Sequence, residues 1–284
     1  MFRGSIVALI TPFTQDNAVD YPCLKKLIEW HIQEGTDGIV LCGTTGESPT
    51  LNSEELLKIV ETGVASANGR IPIIAGTGSY STARTVEVTR KVKEIGADGA
   101  LVIVPYYNRP SPEGCFLHYQ EIDRVGLPMI IYHHPGRTGV KLSAATLKTI
   151  SSLETVVGIK EASGDMNLSM ELLQNGSKPI LSGDDSLTIP VMASGGTGVI
   201  SVVANLIPKE WKMLTELIAS GLLSEALVLF KRYYPICKAM GLETNPQCVK
   251  YALSLMGKCS PAMRLPLIEP QESTKQHIRS VGIF

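Results

Sequence analysis

The sequence predicts an α/β fold, a (β/α)8 TIM barrel followed by a C-terminal helical extension. Eight short apolar runs rich in Val and Ile recur between Ser5 and Val203. Segments of helical period separate these runs, and the final part of the chain has helical periods without further strands. Alternating strands and helices are typical of parallel sheets, and eight such units favour a closed barrel. A doubly wound open sheet is the alternative.

The eight predicted strands are nearly continuous apolar runs rather than alternating ones. This pattern is typical of parallel strands that are covered on both faces. In chain order the runs are SIVALI, GIVL, IPIIAG, ALVIVP, PMIIY, TVVGIK, PILSG and GVISVV. Arg3 is the single basic residue before the first run, and Pro12 ends the apolar stretch. We therefore interpret this first run as a strand rather than as part of a signal peptide.

The predicted helices begin at residues that commonly cap helix N-termini. Asn52 or Ser53 precedes EELLKIV, Ser81 precedes ARTVEVTRKVKEI, and Ser143 precedes AATLKTI. Glycine turns in EGTDG and IGADG end helices and lead into the following strand. From about Lys209 onward the pattern is helical only, and we predict a catalytic barrel over residues 1–222 and an extension over 223–284.

Composition argues against several classes of protein. The 284 residues are 44% hydrophobic, and 26 Lys and Arg residues nearly balance 27 Asp and Glu residues. A formal net charge of -1 without a basic patch argues against nucleic acid as a partner. No apolar stretch reaches the roughly 18 residues that a membrane span requires. The six cysteines form no CxxC pair, so we expect reduced thiols in a cytoplasmic protein.

Active sites of such barrels form at the C-terminal ends of the strands, so polar residues after each apolar run are the candidates. Lys160 closes the sixth run and Tyr132 ends the fifth. A desolvated lysine has a lowered pKa and can attack a carbonyl, and a tyrosine beside it can transfer protons. By position alone, each residue could equally be structural.

Two other segments that follow predicted strands are suited to binding carboxylates. In GTTGES, residues 43–48, glycines flank Thr44 and Thr45 and allow backbone N–H groups to face a small anion. Arg137 could clamp a second carboxylate with its planar guanidinium. The alternatives are a tight turn and a surface arginine.

We assign no metal site. His133 and His134 are adjacent and point in opposite directions along an extended chain, which is poor geometry for a shared metal. Asp184 and Asp185 could bind a divalent ion but could also cap the helix that follows. Neither GTGSYS nor SGGTG fits a nucleotide-binding fingerprint.

The motifs together carry a resemblance to the dihydrodipicolinate synthase family, within the group that includes N-acetylneuraminate lyase. It extends from about Ile6 to Arg264 through ALITPF, CGTTGESPTL, IAGTG, VPYYNRPSPEG, IYHHPGRTG, VGIKEASG, LSGDD and GVISVVAN. The threonine pair and the arginine of PGRTG favour the synthases over the sialic acid lyases. The HHP after Tyr132 departs from the asparagine and aliphatic residue that the family usually shows.

The resemblance implies a lyase that needs no cofactor, because Lys160 itself forms a Schiff base with pyruvate. The resulting enamine attacks L-aspartate-4-semialdehyde in diaminopimelate and lysine biosynthesis. It further implies a homotetramer, a dimer of dimers, although the sequence alone leaves dimer and tetramer open. It implies proton transfer by Tyr132 and Thr44, and by Tyr107 from the adjacent subunit. It implies substrate binding by Thr45, Arg137, Gly183 and Ile200.

Three alternative functions stay open at this point. They are another pyruvate lyase, cleaving a 2-keto-3-deoxy sugar acid or sialic acid, a catalytically silent barrel that only binds, and a metal-dependent aldolase. Many relatives are also inhibited by lysine. In those with the fullest site, positions matching Ser53 and Leu56 are histidines, Tyr80 is an asparagine and Arg84 is a glutamate. The resemblance therefore predicts insensitivity to lysine here, because Arg84 would repel the ligand's ammonium group.

Overall fold

The computed structural model describes residues 2–174 and 178–282. Eight parallel strands close into a barrel in chain order, with β8 pairing with β1, so the (β/α)8 prediction is confirmed. The strands are β1 (Gly4–Ala8), β2 (Gly38–Leu41), β3 (Ile73–Gly76), β4 (Gly99–Ile103), β5 (Met129–His133), β6 (Val156–Glu161), β7 (Ile180–Ser182) and β8 (Gly198–Ser201).

Helices follow the strands and surround the barrel. They are α1 (Tyr21–Gln33), α2 (Ser53–Ala67), α3 (Thr82–Ile95), α4 (Pro112–Asp123), α5 (Pro135–Thr138), α6 (Ala144–Ser151), α7 (Met166–Gln174), α8 (Thr188–Ala193), α9 (Pro208–Ala219), α10 (Leu223–Met240), α11 (Gln247–Leu255) and α12 (Glu272–Ser280). Single 3-10 turns cover Ser48–Thr50, Asp185–Leu187 and Val203–Asn205. Within the described residues no helix is long and apolar enough to cross a membrane.

The predicted helix caps are confirmed. Asn52 caps α2 in a full capping box with Glu55, and Ser81 and Ser143 accept hydrogen bonds at the starts of α3 and α6. Gly96 ends α3 at φ +99, a left-handed conformation that is natural for glycine. These local signals explain why the helix starts were readable from the sequence.

Two apolar layers follow from the alternation of side chains along each strand. An inner cluster fills the barrel: Ile6, Ala8, Val40, Ile74, Leu101, Ile130, Tyr132, Leu181 and Ile200. A larger outer cluster joins the opposite strand faces to the helices. Side chains at the C-terminal ends of the strands therefore either close the barrel mouth or lie under the helices.

The C-terminal part of the chain is helical, as predicted. Helix α9 packs against β1 and completes the outer ring, so the extension proper begins with α10 at Leu223. Helices α10 and α11 contact the short helical turns that follow β7 and β8, which lie at the C-terminal face of the barrel. The division at 222 and 223 coincides with the start of α10. The assignment of the two parts as a catalytic barrel and an extension stays a prediction.

Candidate active site

A cavity of about 380 Å³ opens at the C-terminal ends of the strands. Its walls come from strand ends, from the loops after them and from the extension. The lining residues that matter below are Gly43, Thr44, Thr45, Tyr132, His134, Arg137, Lys160, Gly183, Asp185, Cys237, Met240 and Asn245. Residues that sequence analysis selected after the predicted strands therefore line this cavity.

Lys160 and Tyr132 lie side by side in this cavity. Tyr132 on β5 is the register partner of Lys160 on β6, so both side chains point to the same face of the sheet. The Lys160 Nζ atom lies 4.3 Å from the centroid of the Tyr132 ring, and the two residues are each 5% exposed. The amine is thus placed against an aromatic wall with little access to bulk water.

Burial lowers the pKa of Lys160 from 10.5 to about 8. The negative charge of Asp185 opposes this change, and the positive charge of Arg137 adds to it. With a pKa near 8, about a tenth of the amine is unprotonated at pH 7, against less than a thousandth at the ordinary value. This environment produces a nucleophilic lysine at neutral pH.

The Thr44 side chain lies near the Tyr132 hydroxyl and influences its pKa. Burial raises the pKa of the phenol, while the Thr44 side chain and the charge of Arg137 oppose that change. The phenol therefore keeps its proton at neutral pH and has a hydroxyl neighbour to exchange it with. Such a pair is suited to passing protons to and from a reacting group beside Lys160.

The segment Gly43–Glu47, called the threonine loop below, has a tightly constrained backbone. Two non-glycine residues have left-handed conformations here: Cys42, directly before the loop, at φ +54, and Glu47, its last residue, also at φ +54. Gly76 on β3 packs directly against the Cys42 carbonyl, where a Cβ atom would collide. Burial raises the pKa of the Cys42 thiol, so this cysteine is a packing residue rather than a reactive one.

Thr45 is held by a residue from the C-terminal part of the chain. The Asn245 Nδ2 atom donates to Thr45 Oγ1 at 2.9 Å, and the Asn245 backbone carbonyl accepts from the Arg137 guanidinium at 3.4 Å. Arg137 lies in α5 directly after β5 and is exposed at the cavity mouth. Its charge is thus available to an anion entering the cavity.

The remaining predicted site residues have different placements. Gly183 lines the cavity, and a Cβ atom there would lie 2.5 Å from that of Ala162. Ile200 is 1% exposed in the inner barrel cluster with Tyr132, and it is not among the described residues that line the cavity. Tyr107 is 90% exposed with φ +69, so within this chain it does not reach the cavity.

The two adjacent histidines point in opposite directions, as predicted. His133 is fully buried outside the barrel mouth, where its Nδ1 atom pairs with Glu161 Oε1 at 3.0 Å and its Nε2 atom accepts from the Leu142 backbone N–H at 3.1 Å. This fixes the neutral tautomer with the proton on Nδ1. His134 lines the cavity, and burial together with the charges of Arg137 and Lys160 lowers its pKa to about 4.

Two polar groups in the cavity wall have placements that sequence reasoning did not give: Asp185, which it treated as a possible metal ligand or helix cap, and Asn245, which it did not select. Asp184 caps the turn after β7 by accepting from the Ser186 N–H at 2.8 Å, as expected for a cap. Asp185 instead bonds the Val202 and Val203 N–H groups through Oδ2 at 3.0 Å, and its buried Oδ1 has no protein partner. Asn245 likewise has an unpartnered buried Oδ1 atom. Both atoms belong to residues that line the cavity, where a substrate could supply partners.

The arrangement can form a covalent adduct with a small keto acid. It combines an amine of lowered pKa, a phenol with a hydroxyl relay, a constrained loop for one carboxylate and an exposed guanidinium for another. No group of three or more metal-ligating side chains occurs within residues 2–174 and 178–282. The groups that line the cavity are suited to catalysis by a lysine nucleophile assisted by hydroxyl groups.

Comparisons with known proteins identify the family of the chain. A model of the "Dihydrodipicolinate synthetase family" matches residues 1–281. A 4-hydroxy-tetrahydrodipicolinate synthase of Geobacter sp. (strain M21) is 49% identical over 284 residues, covering 99% of this chain and 98% of the relative. The crystal structure of dihydrodipicolinate synthase from Aquifex aeolicus has a TM-score of 0.96 at 44% identity, covering 99% and 97% of the two chains. The chain belongs to the dihydrodipicolinate synthetase family.

Proposed function

We propose that the chain condenses pyruvate with L-aspartate-4-semialdehyde to give 4-hydroxy-tetrahydrodipicolinate. Full-length relatives at 46–49% identity carry the name of this activity. The observation that supports it most directly is the buried Lys160 amine, 4.3 Å from the centroid of the Tyr132 ring, with a pKa lowered to about 8. The reaction requires a free amine at neutral pH, and burial supplies it.

The first half of the reaction forms an imine. The unprotonated Lys160 Nζ atom attacks the C2 carbonyl of pyruvate and gives a carbinolamine. The proton that the nitrogen loses on attack passes through Thr44 and Tyr132 to the oxygen. Tyr132 then donates a proton to the departing hydroxyl group, which leaves as water, so that a protonated imine remains beside the Tyr132 phenolate. The influence of the Thr44 side chain on the pKa of Tyr132 supports this relay.

The second half forms a carbon–carbon bond and a ring. Loss of a proton from C3 of this protonated imine to the Tyr132 phenolate gives a neutral enamine, whose C3 attacks the aldehyde carbon of the second substrate. Tyr132 then gives its proton to the aldehyde oxygen, which becomes the product hydroxyl. The amino group of the bound semialdehyde then attacks C2 and displaces Lys160, which closes the ring and restores the free enzyme.

Each substrate carboxylate has its own candidate partner. The threonine loop, with Thr45 2% exposed beside Asn245, suits the carboxylate of pyruvate because it lies deep in the cavity. Arg137 at the mouth suits the carboxylate of the semialdehyde, since guanidinium pairs bidentately with carboxylate. Gly183 and Ile200 would shape the pocket around the reacting carbons.

The functional unit in this proposal is an oligomer, a homotetramer built as a dimer of dimers. Tyr107 is 90% exposed in one chain and would complete the proton relay of a neighbouring subunit. A verified monomer should then be markedly less active than the oligomer, and equal activity would contradict the role. The six free thiols suit a reducing compartment, and we place the enzyme in the cytoplasm.

Two assays on the purified protein test the proposal. Borohydride added with pyruvate should reduce the imine to a permanent adduct on Lys160, and a coupled assay should show consumption of both substrates. Labelling without condensation, combined with cleavage of a 2-keto-3-deoxy sugar acid or sialic acid, would favour a sister lyase. No labelling would favour a binding protein, and loss of activity on chelation would favour a metal-dependent aldolase.

A further inference from the structure

A buried ion pair fastens the threonine loop to the C-terminal extension. The Lys250 Nζ atom lies 2.6 Å from Glu47 Oε1, and neither side chain has any exposed surface. Glu47 is the last residue of the loop that carries Thr44 and Thr45, whereas Lys250 belongs to α11. The contact therefore joins two segments that are 203 residues apart in the chain.

The surroundings of the pair hold it in one geometry. Lys250 also donates to the Ala262 carbonyl at 2.7 Å and lies over the Phe13 ring, 4.2 Å from its centroid. The second oxygen of Glu47 accepts from the Arg264 backbone N–H at 3.1 Å, and the Arg264 guanidinium lies 4.5 Å from the same ring. Burial lowers the pKa of the Lys250 ammonium, and Glu47 opposes that change.

The loop needs such a fastening because its backbone is strained. A non-glycine residue at φ +54 is in an unfavourable conformation, which persists only when the surrounding structure imposes it. The Glu47 N–H donates to the Thr44 carbonyl at 3.0 Å, so the position of Glu47 affects that of Thr44. Asn245, two residues before α11, holds Thr45 from the same part of the chain.

We infer that the Glu47–Lys250 pair is a positioning device for pyruvate: it sets the places of Thr44 and Thr45, and it makes the C-terminal extension part of the keto-acid site. This rests on the function proposed above. Lys250 lines no wall of the described cavity, so it acts through the loop rather than on the substrate. The alternative is that the pair serves the stability of the fold alone.

A double substitution separates the two possibilities. Removing one member of a buried pair leaves an uncompensated charge and destabilises the fold, whereas replacing both members is often neutral or stabilising. In Glu47→Gln/Lys250→Met, glutamine keeps an acceptor for the Arg264 N–H, and methionine occupies the space of the lysine stem. The fold can then be kept while the fastening is lost.

We expect the double variant to form the pyruvate imine about 10- to 100-fold more slowly, because small misplacements of positioning groups cost rate on this scale. Its midpoint of thermal unfolding should stay within about 5 °C of the parent value. The KM for pyruvate should rise, while the KM for the semialdehyde should change less than about twofold, since Arg137 is not held by this pair. A purely structural role would not separate the two substrates.

The matched control is Lys212→Met. Lys212 pairs with Asp37 at 2.7 Å beside the N-terminal end of β2, far from the threonine loop in the barrel. Its loss should lower stability but leave the rate of imine formation within about twofold of the parent.

The decisive measurement is borohydride trapping after timed exposure to pyruvate, with the folded fraction checked by circular dichroism. A loss of less than about threefold in the folded double variant would overturn the inference. If that variant does not fold, Glu47→Gln alone decides by the same threshold, because the buried Lys250 can release its proton when its partner is neutral. Failure of the parent protein to trap pyruvate would instead reject the proposed function, and the inference with it.

Discussion

Replacing Lys160 by methionine should make the protein more stable while abolishing its chemistry. Lys160 is 5% exposed, and burial lowers its pKa from 10.5 to about 8. The unfolded chain therefore binds the lysine proton more tightly than the folded protein does. Between these two pKa values, stability rises with pH, because the unfolded state carries more protons.

The size of the effect follows from the two pKa values. A difference of about 2.5, at 1.36 kcal/mol for each pKa unit, corresponds to about 3 kcal/mol of lost stability below pH 8. The penalty falls to about 2 kcal/mol at pH 9 and below about 0.5 kcal/mol at pH 10.5. Methionine matches the lysine stem and carries no charge, so the variant should gain these amounts over the parent.

Urea denaturation of both proteins at pH 7, 9 and 10.5 measures the gain. Lys212→Met is a control in which stability should change in the opposite direction. Burial lowers the pKa of Lys212, but hydrogen bonds to Asp37 and Glu216 together raise it by more. Removal of this lysine should therefore lower the stability at pH 7. If Lys160→Met is no more stable than the parent at pH 7, or if its advantage in stability does not decline as pH rises, the reasoning is refuted. Borohydride labelling of another lysine in this variant would refute the assignment of the nucleophile.

Three further predictions concern catalysis and regulation. Tyr132→Phe should slow imine formation by about 10²-fold with little change in pyruvate affinity, which stopped-flow trapping can measure; an unchanged rate would exclude the phenol from the relay. Arg137→Ala should raise the KM for the semialdehyde far more than that for pyruvate in the coupled assay, and equal losses would contradict its role. Lysine at millimolar concentration should leave the coupled assay unaffected, because the exposed Arg84 would repel the ammonium group of the ligand. Strong inhibition in that range would show that the site is arranged differently.

The fold was predictable because its signals are local. Each strand is a short apolar run, and the caps at Asn52, Ser81 and Ser143 lie immediately before their helices. Barrel closure then follows from the number of units. The same rule placed Lys160 and Tyr132 at one mouth, because neighbouring parallel strands end at the same edge.

The parts of the site that escaped prediction are those set by contacts between distant segments. Asn245 meets Thr45 across 200 positions, in a loop between helices where strand ends give no guidance. The only signal was a polar residue before proline in ETNPQC, which equally suits an ordinary turn. Asp185 was selected by its place after β7, but its neighbour Asp184 takes the capping role that sequence reasoning gave to both.

The features that set the site, whether predicted or missed, have a common physical character, since each is unfavourable for folding when considered alone. Glu47 and Cys42 occupy left-handed conformations, Lys160 is a buried amine, and the Oδ1 atoms of Asp185 and Asn245 are buried without partners. The apolar layers inside and outside the barrel supply the stability that offsets them. A pattern rule that rewards local stability finds such residues only where another constraint marks them, as the end of a strand marks Lys160 and Asp185. It follows that substitutions relieving these strains should tend to stabilise the chain and weaken its chemistry together.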